Sequence, residues 1–169
     1  VERINSRYHQ EQLLIQAGLD EVKTLSFTEE FSELSPEGFV RRFLVEPYNL
    51  NQVVVGYDFR FGCNRAGDFK TLETMGKQLG FKVQEIPPLQ LGGRTVSSTL
   101  IRQLIRENRF EQLPMYLGRP YGIRGSVEIG DQRGRILGFP TANINPRVNL
   151  ALNKGVYVSR VCWQGRRLW

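Results

Sequence analysis

The stretch Gln52-Val53-Val54-Val55-Gly56-Tyr57-Asp58-Phe59-Arg60-Phe61-Gly62 decides the fold class of this chain of 169 residues. Its valines form an unbroken β-branched run, which is typical of a strand buried on both faces of a parallel sheet. Helices and strands are predicted alternately around it: helix 5–18, strand 22–27, a helix opening at Ser35-Pro36-Glu37, helix 68–80 and strand 81–86. This alternation predicts an α/β fold built on an open parallel sheet.

The loop that follows the valine run is the first candidate site. Ligands bind beyond the carboxyl ends of the strands in an open parallel sheet. Gly56 and Gly62 would let the backbone approach a ligand closely, and Asp58 offers a carboxylate acceptor. Phe59 and Phe61 would frame a flat ring. The pattern leaves a second interpretation open, a surface turn whose aromatic side chains fold back onto the core.

The segment Ser97-Ser98-Thr99-Leu100-Ile101-Arg102 is the second candidate site. It opens a predicted helix, and a second short helix is expected to end near Leu117. Arg102 lies near the N-terminus, where the helix dipole disfavours a cation by roughly 0.3–1 kcal/mol. A bound phosphate would resolve this conflict by accepting bonds from free N–H groups and hydroxyls and by pairing with the guanidinium. The alternative is an ordinary serine cap and a solvent-facing arginine.

The pattern changes at Leu117-Gly118-Arg119-Pro120, which is the predicted joint between two modules. Beyond it glycines recur, and strands are predicted over 121–129 and 155–163 without helical periodicity. These features are typical of the beginning of a small β-barrel or sandwich. The chain ends at Trp169 within a predicted strand pair. Because a barrel ending there would have open edges, we expect a C-terminal portion to be missing.

The third candidate site is Gly134-Arg135-Ile136-Leu137-Gly138-Phe139-Pro140-Thr141-Ala142-Asn143. The part from Gly134 to Gly138 is typical of a flexible loop that closes over phosphates, and Pro140 would stiffen the approach. Thr141 and Asn143 supply neutral oxygens, which suit Mg²⁺ when phosphate and water fill its remaining positions. A hairpin loop followed by a turn is the alternative.

Composition excludes several classes of function. The net charge of +6 favours an anionic partner, but the basic residues are scattered, so a small phosphorylated ligand is favoured over nucleic acid. No apolar run is long enough for a membrane span, and no cleavable signal opens the chain. Cys63 and Cys162 lack metal-ligand spacing and are expected to be reduced thiols of a cytoplasmic protein. The sequence does not fix the oligomeric state, and a homo-oligomer is left open.

Conventional catalytic residues are scarce. His9 is the sole histidine and is expected at the surface of an amphipathic helix. No Ser-His-Asp triad and no Walker A motif can be assembled. We therefore assign no catalytic residue within the chain.

In order and spacing, these segments closely resemble the bacterial bifunctional riboflavin kinase/FMN adenylyltransferase family. The family's Val-Gly-x-Asp/Asn-Phe-x-Phe-Gly and Ser-Ser-Thr-x-Ile-Arg motifs match residues 55–62 and 97–102. Its Leu-Gly-Arg-Pro-Tyr connection and Gly-Arg-x-Leu-Gly-Phe-Pro-Thr-Ala-Asn motif match residues 117–121 and 134–143, and a Gly-Val-Tyr follows at 155–157. The resemblance implies an incomplete Rossmann-like nucleotidyltransferase sheet over 1–117, followed by the first part of a riboflavin kinase β-barrel over 118–169.

The resemblance also implies ligands and residue roles. ATP would be a substrate with Mg²⁺, and riboflavin, FMN and FAD would be substrates or products. In the adenylyltransferase, the flavin-side pocket would be formed by Gly56, Asp58, Phe59, Phe61 and Gly62, and the ATP phosphates would be bound by Ser97, Ser98, Thr99 and Arg102. In the kinase, ATP would be bound by Gly134, Gly138, Pro140, Thr141 and Asn143, of which Thr141 and Asn143 would also hold the metal.

Two family features are absent from the sequence. The family's His-x-Gly-His motif needs two histidines, and its kinase glutamate lies well beyond Asn143, whereas no acidic residue follows Asp131 here. We therefore expect this polypeptide alone to catalyse neither reaction at a useful rate.

Two other functions remain open on the sequence. A different adenylyltransferase, acting on pantetheine phosphate or nicotinamide mononucleotide, would explain residues 97–102 but leaves Pro140-Thr141-Ala142-Asn143 without a role. A basic nucleotide- or RNA-binding domain without catalysis would explain the charge and little else.

Overall fold

The computed structural model describes residues 2–163 and 166–168, so the strand predicted at Trp169 lies outside the described residues. The chain divides into two compact units: unit 1 contains Val1–Asp20 and Ser97–Trp169, and unit 2 contains Glu21–Val96. The helices are α1 (Arg7–Gln16), α2 (Glu29–Ser32), α3 (Pro36–Val40), α4 (Phe69–Leu79), α5 (Ser98–Arg106), α6 (Leu113–Leu117) and α7 (Arg133–Ile136). The strands are β1 (Gln52–Gly56), β2 (Lys82–Ile86), β3 (Gln90–Leu91), β4 (Arg94–Thr95), β5 (Ser126–Glu128), β6 (Asn143–Asn145), β7 (Val161–Trp163) and β8 (Arg166–Leu168).

Unit 2 is built on the parallel pair β1 and β2, with α4 as the connection between them. The register runs from Gln52 opposite Lys82 to Gly56 opposite Ile86. The Asp68 side chain caps the start of α4 by accepting a bond from the Thr71 N–H, and Gly80 ends the helix in the left-handed conformation. The predicted strand, helix and strand of this segment are therefore confirmed.

One face of β1 is buried and the other is not. Val55 is 7% exposed and packs in a core with Val40, Phe61, Leu72 and Phe81. Val54, on the opposite face, is 55% exposed. For the described residues the prediction that β1 is buried on both faces is wrong, because successive side chains of a strand alternate and only the Val55 side packs in the core.

Residues 22–27 do not form the predicted strand. Leu25 and Phe27 are both exposed, and the described part of the sheet contains only β1 and β2. A segment with strand-forming residues becomes a strand only when its backbone bonds are made to a neighbouring strand. A short hairpin that the sequence analysis missed joins β3 to β4, where Gly92 and Gly93 both have positive φ.

The predicted helix around Ser35 is confirmed as α3. The Ser35 side chain caps it by accepting a bond from the Gly38 N–H, and Pro36 opens the first turn. The helix then widens into a π-helical turn over Arg41–Val45.

The core of unit 1 forms around α5. Four apolar side chains on one side of α5 pack with Leu113 of α6 and with Ala151; they are Leu100, Ile101, Leu104 and Ile105. Ser6 caps α1 by accepting a bond from the His9 N–H, and Gly118 ends α6 in the left-handed conformation. The three helices predicted for these segments are therefore confirmed.

The strands of unit 1 are shorter than predicted. β5 occupies 126–128 of the predicted 121–129, and β7 occupies 161–163 of the predicted 155–163. In the described residues β5 pairs with β6 and β7 with β8, both antiparallel. The fold is therefore a mixed α/β structure with a small parallel sheet, and the Rossmann-like sheet and the barrel remain predictions.

Candidate functional site

The loop after β1 turns back sharply at the carboxyl end of the strand. The Phe59 N–H donates to the Gly56 carbonyl at 3.0 Å, and the Tyr57 N–H donates to the Ile86 carbonyl at 3.0 Å. A Cβ atom on Gly56 would lie 3.3 Å from Asp58 Oδ1, so the carboxylate lies over the glycine. Asp58 is exposed and can accept bonds from a ligand.

The two phenylalanines of this loop do not frame a gap. Their rings stack on each other with centroids 5.4 Å apart, and Phe61 is only 6% exposed. Phe61 also leaves no room for a side chain at Gly67, whose Cβ would lie 2.7 Å from the ring. Phe61 is thus a core residue, as the second interpretation of this loop expected, and Phe59 is the half-buried member of the pair.

At the N-terminus of α5, Ser97 is a serine cap, as the alternative interpretation of the second candidate site expected. Ser97 Oγ accepts a bond from the Leu100 N–H at 3.2 Å, and the first turn contains no acidic residue. The Ser98 and Thr99 side chains are exposed, so their hydroxyls can donate to a ligand.

Arg102 does not face solvent as the alternative interpretation expected. It is half-buried, and its Nε donates to the Glu2 carbonyl oxygen at 2.8 Å. No local sequence signal could have identified this partner, because the two residues are separated by 100 positions.

The third candidate segment contains a short helix. Residues 133–136 form α7, and the Phe139 N–H donates to the Gly134 carbonyl at 2.7 Å. A Cβ atom on Gly134 would overlap the Phe139 carbonyl oxygen and lie 3.1 Å from Thr141 Oγ1. Close packing therefore requires glycine at position 134, and the closing of residues 134–138 over phosphates stays a prediction. Gly138, with φ of 79°, is the position that needs glycine for its conformation.

The donor set near Thr141 suits a magnesium ion only together with phosphate. Thr141 and Asn143 are exposed and supply neutral oxygens. Because Gly134 has no side chain, Thr141 Oγ1 can lie close to α7. Asn143 lies against Gly130 rather than Gly134. The described residues contain no group of three or more His, Cys, Asp or Glu side chains that could hold a metal ion. Such a set fits an ion that arrives bound to phosphate and keeps several waters.

The candidate segments fall in different units. Residues 56–62 belong to unit 2, whereas residues 97–102 and 134–143 belong to unit 1. Unit 1 has twice as many basic as acidic residues, and unit 2 has nearly equal numbers. The excess positive charge thus lies in the unit that carries both predicted phosphate-binding segments.

His9 is not the surface residue that the sequence predicted. It is half-buried, and its Nδ1 is buried without a hydrogen-bond partner in the described residues. Burial lowers its pKa, and the nearby charges of Arg119 and Arg124 lower it further. Burial raises the pKa of Tyr121, whose hydroxyl also lacks a partner among the described residues. These four residues form a cluster that no periodicity in the sequence indicates, because His9 lies in α1 and the others lie in the segment after α6.

A model of the FAD synthetase family matches residues 1–100. The chain belongs to the FAD synthetase family. A riboflavin kinase model matches residues 117–169, so the segment from the end of α6 onwards is similar to a second family. The resemblance inferred from the motifs is therefore confirmed.

Curated relatives carry both activities in their names. A bifunctional riboflavin kinase/FMN adenylyltransferase from Buchnera aphidicola subsp. Schizaphis graminum is 42% identical over 85% of this chain and 46% of the relative. The enzyme of the same name from Escherichia coli K12 is 36% identical over 91% of this chain and 49% of the relative. The one from Pseudomonas fluorescens is 38% identical over 88% of this chain and 48% of the relative. The chain thus spans about half the length of the curated relatives it matches.

A solved structure is also similar. The crystal structure of a macrolide-efflux protein from Streptococcus pneumoniae has a TM-score of 0.78 and 29% sequence identity, covering 98% of this chain and 53% of that one. In the part of the chain that the structure describes, no helix has the length and apolarity needed to cross a bilayer.

Proposed function

We propose that this chain is part of an enzyme of FAD biosynthesis that phosphorylates riboflavin to FMN and adenylylates FMN to FAD, with ATP as the donor in both steps, and that its 169 residues alone catalyse neither reaction at a useful rate. The observation that carries the proposal is that models of the two corresponding families match one chain consecutively, over 1–100 and 117–169. On this basis the adenylyltransferase module would extend over 1–117 as part of a Rossmann-like sheet, and the kinase module over 118–169 as part of a β-barrel.

In the adenylyltransferase, the N-terminus of α5 binds ATP phosphates. The Ser98 and Thr99 hydroxyls are exposed there, and no carboxylate in the first turn would repel an anion. Arg102 supplies the terminal guanidinium nitrogens, since its Nε is already bonded. The same turn carries the partial positive charge of the helix dipole.

On the flavin side, Asp58 and Phe59 contact the substrate. Asp58 is exposed at the carboxyl end of β1, where ligands of open parallel sheets bind. Gly56 allows the carboxylate to lie close to the backbone, and Gly62 lets the loop pass against Pro36. Phe61 acts by stacking beneath Phe59 rather than by contacting the flavin.

In the kinase, ATP binds along residues 134–143. Thr141 and Asn143 hold Mg²⁺ together with the ATP phosphates, and Pro140 and Gly138 shape the approach. The ion, when bound, neutralises phosphate charge. We assign no general base here, so these residues act by positioning and by charge neutralisation. We place both reactions in the cytoplasm, because Cys63 and Cys162 are free thiols.

A titration with Mg-ATP followed by amide NMR of the labelled chain tests the proposal at both sites. We expect separate sets of shifts at the amides of Ser98 and Thr99 and at those of Thr141 and Asn143. Ser98→Ala should weaken the first set only, and Thr141→Ala the second only. Absence of shifts at both segments, together with salt-dependent binding of RNA, would instead favour the nucleic-acid alternative.

A further inference from the structure

The N-terminal segment 2–6, here termed the strap, is fixed across unit 1 by backbone bonds. The Arg3 N–H donates to the Asn149 carbonyl at 2.8 Å, and the Ala151 N–H donates to the Arg3 carbonyl at 3.0 Å. These bonds form a parallel bridge between Arg3 and Leu150. Ile4 packs against the core that contains Ala151. The backbone bonds of Arg3 thus fix the middle of the strap, while Ile4 packs on the core formed largely by α5.

Glu2 in this strap contacts two arginines of α5 that lie one turn apart. Its backbone carbonyl accepts from Arg102 Nε at 2.8 Å. Its carboxylate Oε2 accepts from Arg106 Nε at 3.0 Å and from Arg106 Nη2 at 2.6 Å. The two arginines are thus in different states, because Arg106 is ion-paired whereas the partner described for Arg102 is neutral.

We propose that Glu2 is a positioning residue for ATP binding, acting through Arg102; this inference rests on the proposed phosphate site at α5. The Glu2 carbonyl fixes the guanidinium through Nε and leaves the two terminal nitrogens for phosphate. Because the carbonyl carries no charge, Arg102 keeps its full attraction for an anion. The Glu2 carboxylate holds the strap on Arg106, one turn away from the phosphate.

The expected gain in affinity comes from pre-organisation. Arginine loses much side-chain freedom when it binds, and a contact that restricts it beforehand reduces this cost. Loosening the strap should therefore weaken Mg-ATP binding at α5 by about threefold to tenfold. Electrostatics alone predicts the opposite sign, since removal of an acidic side chain near an anion site should strengthen binding.

The test is the Mg-ATP titration of the labelled chain, with affinity determined at the Ser98 and Thr99 amides. Glu2→Ala is expected to weaken binding about threefold to tenfold, and Glu2→Gln less, because glutamine retains an oxygen acceptor for Arg106. Glu111→Ala is the matched control, since Glu111 is exposed in unit 1 and its removal changes the charge equally. That variant should bind ATP as tightly as the unaltered chain or slightly more tightly. Amide spectra before the titration show whether each variant is folded.

A double-mutant cycle with Arg102→Ala separates positioning from general destabilisation. If Glu2 acts through Arg102, Glu2→Ala has no further effect once Arg102 is removed. An equal effect in both backgrounds, or none in either, overturns the role of Glu2. If Arg102→Ala itself leaves the titration at Ser98 and Thr99 unchanged, the proposed ATP-phosphate site is wrong.

Discussion

Gly76 lies in the interior of α4, where alanine would ordinarily stabilise the helix. Its environment reverses that expectation. A Cβ atom at this position would lie 2.6 Å from the Phe81 carbonyl oxygen, 3.1 Å from Val83 Cγ2 and 3.2 Å from Phe81 Cε2. Because the first of these is a backbone atom at the entry to β2, a rotamer change cannot relieve the overlap. We therefore expect Gly76→Ala to destabilise unit 2.

The magnitude follows from two opposing effects. Alanine in place of glycine inside a helix contributes about 1 kcal/mol of stability. Overpacking of a well-packed site costs about 1–3 kcal/mol. The Gly80 and Phe81 N–H groups also both donate to the Gly76 carbonyl, so a displacement would strain the end of α4. We expect the free energy of unfolding to fall by up to about 2 kcal/mol, with the steric cost exceeding the helix propensity.

Native-state hydrogen exchange is the appropriate assay, because it reports on the amides of each compact unit separately. Protection of the β1 and β2 amides should fall in Gly76→Ala, whereas protection of the α5 amides should not change. Gly122→Ala is the control, since no atom lies within 4 Å of its would-be Cβ. It should be neutral or slightly stabilising. If Gly76→Ala increased protection in unit 2, the packing argument would be refuted.

Three further predictions concern unit 1. Ser97→Ala removes the cap of α5 and should lower the free energy of unfolding by about 1 kcal/mol, with Ser97→Gly costing only a few tenths, as measured by urea denaturation. Since the folded pKa of His9 is lowered, the folded chain binds fewer protons than the unfolded chain just below the ordinary value of 6.5. The contribution of His9 to the free energy of unfolding should thus be fully present above that pH and should fall as the pH is lowered towards the folded pKa. In His9→Gln, urea denaturation at several pH values should show a smaller pH dependence. Gly134→Ala should displace Thr141, whose Oγ1 would lie 3.1 Å from the new Cβ, and weaken Mg-ATP binding about tenfold in a titration followed at the Thr141 amide.

The helices of this protein were predictable because local signals agree with one another. Asp68 and Gly80 mark the two ends of α4: the Asp68 side chain caps its start, and Gly80 ends it in the left-handed conformation. In α5, Ser97 marks the start, and the apolar stripe from Leu100 to Ile105 identifies the buried side. Each signal lies within a few residues of the structure that it determines, so no knowledge of the tertiary fold was required.

The features that the sequence could not supply depend on distant partners. The exposure of Val54 depends on what covers each face of the sheet, which the β-branched run does not reveal. Residues 22–27 contain β-forming residues such as Val22 and Phe27, but pairing decides whether a strand forms. A glycine in a sequence can serve close packing or conformational freedom, and only the position of the Phe139 carbonyl shows that position 134 requires close packing. The Glu2–Arg102 bond belongs to the same class of contact.

The core of unit 1 connects residues matched by the two family models. The FAD synthetase match ends at residue 100, within α5, and the riboflavin kinase match begins at residue 117. Yet Leu100 of α5 and Ala151 of the kinase-like segment belong to one hydrophobic cluster. Asn153 Nδ2 also donates to the Arg106 carbonyl at 2.7 Å, at the end of α5. The helix that carries the proposed adenylyltransferase phosphate site is therefore supported by residues of the kinase-like segment, so a change in the packing of Ala151 should shift the α5 amides as well as its own surroundings.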